Sequence, residues 1–174
     1  RDQDASISNH YGLYYNWCAA MDTYYPGGNE VPQAGQSESY WSFSVSGNRR
    51  GICPKGWHLP SQAEFDTLVS AAGSGTALAG SCDWNYCFGN EKDFYAVPAG
   101  EATLQFMNAG AMSDGYLYAN FWSTKEYTNE RVYPLRLTNP SSGEPGFTSV
   151  SVSTTYGTYF KDYGASVRCV RDSE

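Results

Sequence analysis

Residues 51–68, GICPKGWHLPSQAEFDTL, constrain the fold more than any other stretch, because they fix where a helix starts. Ser61 is suited to cap that helix, and Glu64 three positions on completes a capping box, so two otherwise unpaired amides are satisfied reciprocally. Phe65, Leu68, Val69 and Ala72 follow at i, i+3, i+4 and i+7, forming one apolar stripe, and Gly73 supplies the stop. The spacing predicts one principal helix over about 61–73, with Phe65, Leu68 and Val69 entering the core. Ahead of it stand Cys53, Pro54, Trp57, His58 and Pro60. Such density reads either as an active site or as a structural clamp.

No second helix is signalled as clearly. HYGLYYNWCAAMD, residues 10–22, is aromatic and strand-like at its start, whereas residues 25–39 hold too many breakers for regular structure. From Gly75 to Gly115 the chain reads as irregular, apart from the short apolar segment FYAVPAG at 94–100. RVYPLRL at 131–137 is followed by the turn cluster NPSSGEPG. FTSVSVSTTY then places Val150 and Val152 on one face, and ASVRCVR at 165–171 closes the chain as an alternating strand. No repeat occurs at solenoid periods. The expected class is α+β: one principal helix against a small twisted antiparallel sheet with long irregular loops, in a single domain over 1–174.

Charged residues make up 17% of the chain and aromatic residues 16%, fifteen of them tyrosines. Tyr and Trp bring large contact area at little rotamer entropy, which suits recognition. A net charge of −7 argues against nucleic acid, whose binders present basic stripes. No run reaches transmembrane length, so direct membrane insertion is not expected. Two histidines and five cysteines in no zinc-ligand spacing point away from a metal and toward disulfides, and so toward export. A bond between Cys53 and Cys169 would tie the helix region to the last strand. Cys82 and Cys87 are spaced for a local bridge, and Cys18 is then a buried thiol or differently paired. The chain begins at Arg1 rather than Met, and we expect a fragment of a longer surface protein from which a signal or anchor has been trimmed.

In order along the chain, YGLYYNW, GICPKGWHLPSQAEFDTL, FYAVPAGE, FWSTKEY and YGASVRCVRD resemble the Fibrobacter succinogenes major paralogous domain family, over roughly residues 11–172. That family is similar in turn to the C-type lectin fold, where a cysteine ahead of the helix pairs with one in the C-terminal strand. The resemblance implies a C-type-lectin-like domain with Cys53 joined to Cys169, and favours the clamp over the active site. LPSQAEF is also similar to the formylglycine-generating sulfatase modifiers. Their activity depends on a cysteine pair in the later half, where this chain has only Cys169.

Catalytic readings are weak on the residues themselves. A nucleophilic Cys53 beside His58 is excluded once Cys53 is oxidised. GEPG at 143–146 echoes a calcium-lectin element, but Gly146 stands where an amide ligand is needed, and no compact acidic cluster offers six to eight oxygens. No spacing singles out a glycosidase carboxylate pair. We therefore expect no catalytic residues, metal or cofactor.

The segment from Ser113 to Asp162 interleaves Tyr and Asn with Ser and Thr, the mixture of an antibody paratope. Trp122 and Leu137 read as core, while Tyr127, Asn129, Arg131, Tyr133, Tyr156 and Tyr159 are expected to form a ligand-binding face. The expected function is noncatalytic recognition of a host or microbial surface protein or glycan, by an adhesin or pilus domain on a bacterial cell surface. Diversification by a retroelement is a special case, since such variable proteins use this fold. An extracellular polysaccharide-acting enzyme and a purely structural surface module are the alternatives.

Overall fold

The structure, a computed structural model, describes residues 11–22, 48–80, 92–100, 102, 118–138, 151–153 and 158–173. The expected loop at 25–39, the pair Cys82 and Cys87, the GEPG turn, Val150 and Tyr156 lie outside the described residues.

The principal helix spans Gln62–Ala72. Ser61 Oγ accepts from the Glu64 amide, and Glu64 Oε2 accepts from the Ser61 amide at 2.8 Å, so the capping box forms as expected. Gly73 ends the helix in the left-handed region at φ 75°, donating to the Val69 carbonyl. Phe65 is buried, but Leu68 and Val69 are only half-buried. The expectation that all three enter the core is thus corrected: the stripe meets the core at Phe65 and then runs along its border.

A shorter helix, Trp17–Ala20, precedes it, with Asn16 Oδ1 accepting from the Ala19 amide at 2.8 Å. We call these α1 (Trp17–Ala20) and α2 (Gln62–Ala72). The aromatic segment expected to begin as a strand contributes only one antiparallel bridge, Tyr15 to Ala165, before α1 starts. Gly51 lets the next described segment approach α1. A Cβ there would stand 2.2 Å from the Ala20 carbonyl oxygen, and its φ of 54° suits glycine alone.

Among the described residues there are seven short strands, in chain order β1 (Trp57–His58), β2 (Tyr118–Phe121), β3 (Arg131–Val132), β4 (Leu135–Thr138), β5 (Ser151–Ser153), β6 (Tyr159–Phe160) and β7 (Val170–Arg171). All pairings are antiparallel: β1 with β7, β3 with β6, and β2–β4–β5 as a three-stranded sheet. The architecture is α+β, with few helices and small sheets rather than one sheet. RVYPLRL divides at Tyr133 and Pro134 into β3 and β4, which belong to different sheets. Proline has no amide to donate to a ladder, so the run breaks there. In ASVRCVR only Val170–Arg171 is strand, while Ala165 and Ser166 make single bridges to Tyr15 and Phe121.

Among the described residues the core is made of two apolar clusters. One gathers Trp17, Met21, Cys53, Leu59, Trp122 and Tyr159, and the other Phe65, Leu78, Ala96, Phe121, Leu135 and Leu137. Trp122 and Leu137 are fully buried, as expected. The Cys53–Cys169 disulfide is present, with Cα atoms 5.9 Å apart and 116 positions between them in sequence. Cys18 is buried outside that bond. Among the described residues no helix is long and apolar enough to cross a membrane.

Candidate functional site

Beyond β2 the chain is pinned to the core before it reaches the surface. Trp17 Nε1 donates to the Ser123 carbonyl at 2.8 Å, Trp122 Nε1 to the Tyr15 carbonyl at 2.6 Å, and the Thr124 amide to the Pro60 carbonyl at 2.8 Å. Ser123 Oγ donates to the Tyr133 carbonyl and accepts from the Lys125 amide. A hairpin grows from this base. The Tyr133 amide donates to the Lys125 carbonyl, and the Tyr127 and Thr128 amides donate to the Arg131 carbonyl. Thr128 Oγ1 accepts from the amides of Glu130 and Arg131 at 3.3 and 3.1 Å, which closes the tip with its own side chain.

Beneath the hairpin Lys161 is only 1% exposed, and its Nζ donates to Glu126 Oε1 at 2.7 Å while lying 4.5 Å from the centre of the Trp17 ring. The Glu130 carbonyl accepts from the Lys161 amide. A buried ammonium of this kind is tolerated only when paired, so Glu126 is held in place and the hairpin with it.

On this support the structure brings together four of the six residues expected at a binding face. Tyr127 is 56% exposed and packs edge-to-face on Tyr133, ring centres 5.2 Å apart. Asn129 is exposed at the tip, and Tyr133 is half-buried. Arg131 is half-buried: its guanidinium lies 3.6 Å above the Phe160 ring, and Nη1 donates to the Thr158 carbonyl and hydroxyl. Arg131 thus braces the face as much as it displays charge.

Tyr159 is a correction. It is 5% exposed and packs on Trp122 and Tyr163, with ring centres 5.4 and 5.1 Å away. Register explains this: Tyr159 pairs with Val132 and Phe160 with Arg131, so the alternation that turns Arg131 outward sends Tyr159 into the core. Phe160, beneath the Arg131 guanidinium, is the aromatic that sequence reading missed. No sequence signal marked it, because its pairing with Arg131 joins segments distant in the chain. Tyr156 lies outside the described residues.

His58 is built into the scaffold by two carboxylates. It is 4% exposed, with Nδ1 2.6 Å from Asp172 Oδ1 and Nε2 2.7 Å from Glu64 Oε1. Both ring nitrogens meet carboxylates, which ties the ring into the scaffold, and Cys53 nearby in sequence is oxidised and so is no nucleophile. Among the described residues no group of three or more His, Cys, Asp or Glu side chains is placed to hold a metal ion.

Residues 1–171 match the family model of the Fibrobacter succinogenes major domain. The chain belongs to that family. No curated protein and no solved structure gives a match. In this Fibrobacter succinogenes major domain, the segments that carried the resemblance are those that hold the fold. GICPKGWHLPSQAEFDTL supplies the disulfide, β1 and the capping box. FWSTKEY builds the hairpin base, and YGASVRCVRD returns the chain to β1 through β7.

Proposed function

We propose that this domain is a noncatalytic recognition module, of C-type-lectin-like arrangement, in a bacterial surface or pilus adhesin. Its ligand is a host or microbial surface protein or glycan, taken on the face of Tyr127, Asn129, Arg131 and Tyr133. The observation that carries the reading is the exposure of Tyr127 on a hairpin whose underside is tied through Glu126 to the buried Lys161. A large aromatic held rigidly in water is the usual anchor of a binding surface, because little entropy is lost when it is covered. The C-type-lectin comparison is supported by β1 pairing with β7 beside the Cys53–Cys169 bond, which brings the region ahead of α2 to the end of the chain.

The test is an array of glycans and surface proteins probed with the isolated domain. Tyr127→Ala is expected to weaken a hit by about thirtyfold, the equivalent of ~2 kcal/mol, with an unchanged melting temperature. A hit unaffected by both Tyr127→Ala and Asn129→Ala removes the hairpin from the reading. Turnover of a polysaccharide on the array favours the enzyme alternative instead. Retroelement diversification predicts a neighbouring reverse transcriptase gene and a near-repeat of the DNA encoding this face.

A further inference from the structure

A groove of about 490 Å³ lies between residues 11–15, 95–97, Phe121 and 166–168, and no hairpin residue lines it. Its walls expose apolar surface that a folded chain normally covers: Leu13 is 51% and Tyr95 53% exposed. Tyr95 is also held at φ 51°, a left-handed conformation that a bulky residue adopts only when its surroundings enforce it. Gly80 makes room for this backbone, since a Cβ there would stand 2.5 Å from the Tyr95 Cα. The backbone is shaped so that this ring stands in the groove wall.

Arg168 gives the groove its charge. Its guanidinium lies 4.8 Å from the Phe94 ring centre and 5.9 Å from that of Phe121. Among the described residues it has neither a hydrogen bond nor an acidic partner. Arg168 is exposed, so an anion can reach it, while partial desolvation beside the rings pushes its pKa down from the usual arginine value. Among the described residues no acidic side chain lines the groove. An unpaired planar fork of donors between aromatic rings matches a carboxylate taken bidentately.

The rest of the lining narrows the ligand. A sugar's vicinal hydroxyls are commonly held by carboxylate or amide side chains, which accept and orient them, and the described lining residues include none. Leu13, Val97, Val167 and the face of Tyr95 instead suit an apolar body. We infer that this groove binds a small carboxylate with an apolar or aromatic body, of the kind a peptide presents at its C-terminal residue. The inference does not rest on the recognition hairpin, and either site can fail without the other.

The test uses the whole chain, isotopically labelled, titrated with N-acetylphenylalanine, its amide and glucuronic acid while amide resonances are followed. N-acetylphenylalanine is expected to give saturable shifts at Leu13, Tyr95 and Ser166. The amide should bind at least about tenfold more weakly, the loss of a charge-assisted contact, and glucuronic acid should not saturate. Arg168→Gln should erase the difference between acid and amide. The unmodified chain decides alone if that variant folds poorly. Acid and amide binding equally, glucuronic acid binding as tightly as N-acetylphenylalanine, or no saturable shift at Leu13 and Tyr95 overturns the inference.

Discussion

His58 Nδ1 lies 2.6 Å from Asp172 Oδ1, joining residues 114 positions apart, while its Nε2 meets the Glu64 carboxylate that also closes the capping box of α2. The ring therefore links the start of the helix to the residue that follows β7. Burial opposes its charge, but hydrogen bonds and attraction from Glu64 and Asp172 outweigh burial and raise its pKa above 6.5. For Glu64 burial also favours the neutral form, yet the Ser61 amide, His58 and the Ser61 hydroxyl outweigh it and lower the pKa from 4.5.

The consequence is a stability profile with two flanks. The contribution of His58 is complete below about 6.5 and is lost as pH rises through its raised folded value. That of Glu64 is present above its ordinary value and is lost as pH falls through its lowered one. Urea midpoints measured across pH should decline on the alkaline side, and His58→Gln should flatten that decline. A His58 ring that titrates at or below 6.5 in the folded chain contradicts the assignment.

The Lys161–Glu126 pair predicts an asymmetry between its two partners. Glu126→Ala leaves an ammonium buried with its carboxylate gone. Glu126 is 25% exposed, so the loss should be about 2 kcal/mol, below the range for fully buried pairs. Lys161→Met replaces the charge with a chain of similar volume and leaves Glu126 partly hydrated, so about 1 kcal/mol is expected. Chemical denaturation of both variants decides, and a greater cost for Lys161→Met means the buried lysine is not what needs its partner.

Burial along α2 predicts unequal costs on one stripe. Phe65→Ala should destabilise by about 3–5 kcal/mol, as buried aromatics do. Leu68→Ala, at the border of the same cluster, should cost about 1–2 kcal/mol because part of its side chain is already in water. Equal losses in thermal unfolding would put Leu68 deeper in the core than its exposure indicates.

The disulfide closes a long loop, and in the chain-entropy model that constraint is worth about 5 kcal/mol. Reduction should lower the melting temperature sharply. In the native oxidised chain Cys18 should resist alkylation because it is buried. Peptide mapping that finds Cys53 and Cys169 as free thiols removes this link between α2 and β7.

What was legible in the sequence rests on short-range chemistry. Ser61, Glu64 and Gly73 announce the ends of α2 because their hydrogen bonds reach only three or four residues. The clustering of Tyr127, Asn129, Arg131 and Tyr133 was accessible for the same reason, since one hairpin carries all four. The Cys53–Cys169 link, by contrast, rested on the placement of the two cysteines together with likeness to a family. Tertiary structure decided everything that depends on which side of a strand faces the core. Tyr159 went inward because its register opposite Val132 allows nothing else. Pro134 divided one apparent strand between two sheets. No local pattern marks His58 as the contact between Glu64 and Asp172, Lys161 as a buried support, or Arg168 as a charge in an apolar groove. Each is created when segments distant in sequence pack together, and the cost of burying a polar or charged group is set by those partners.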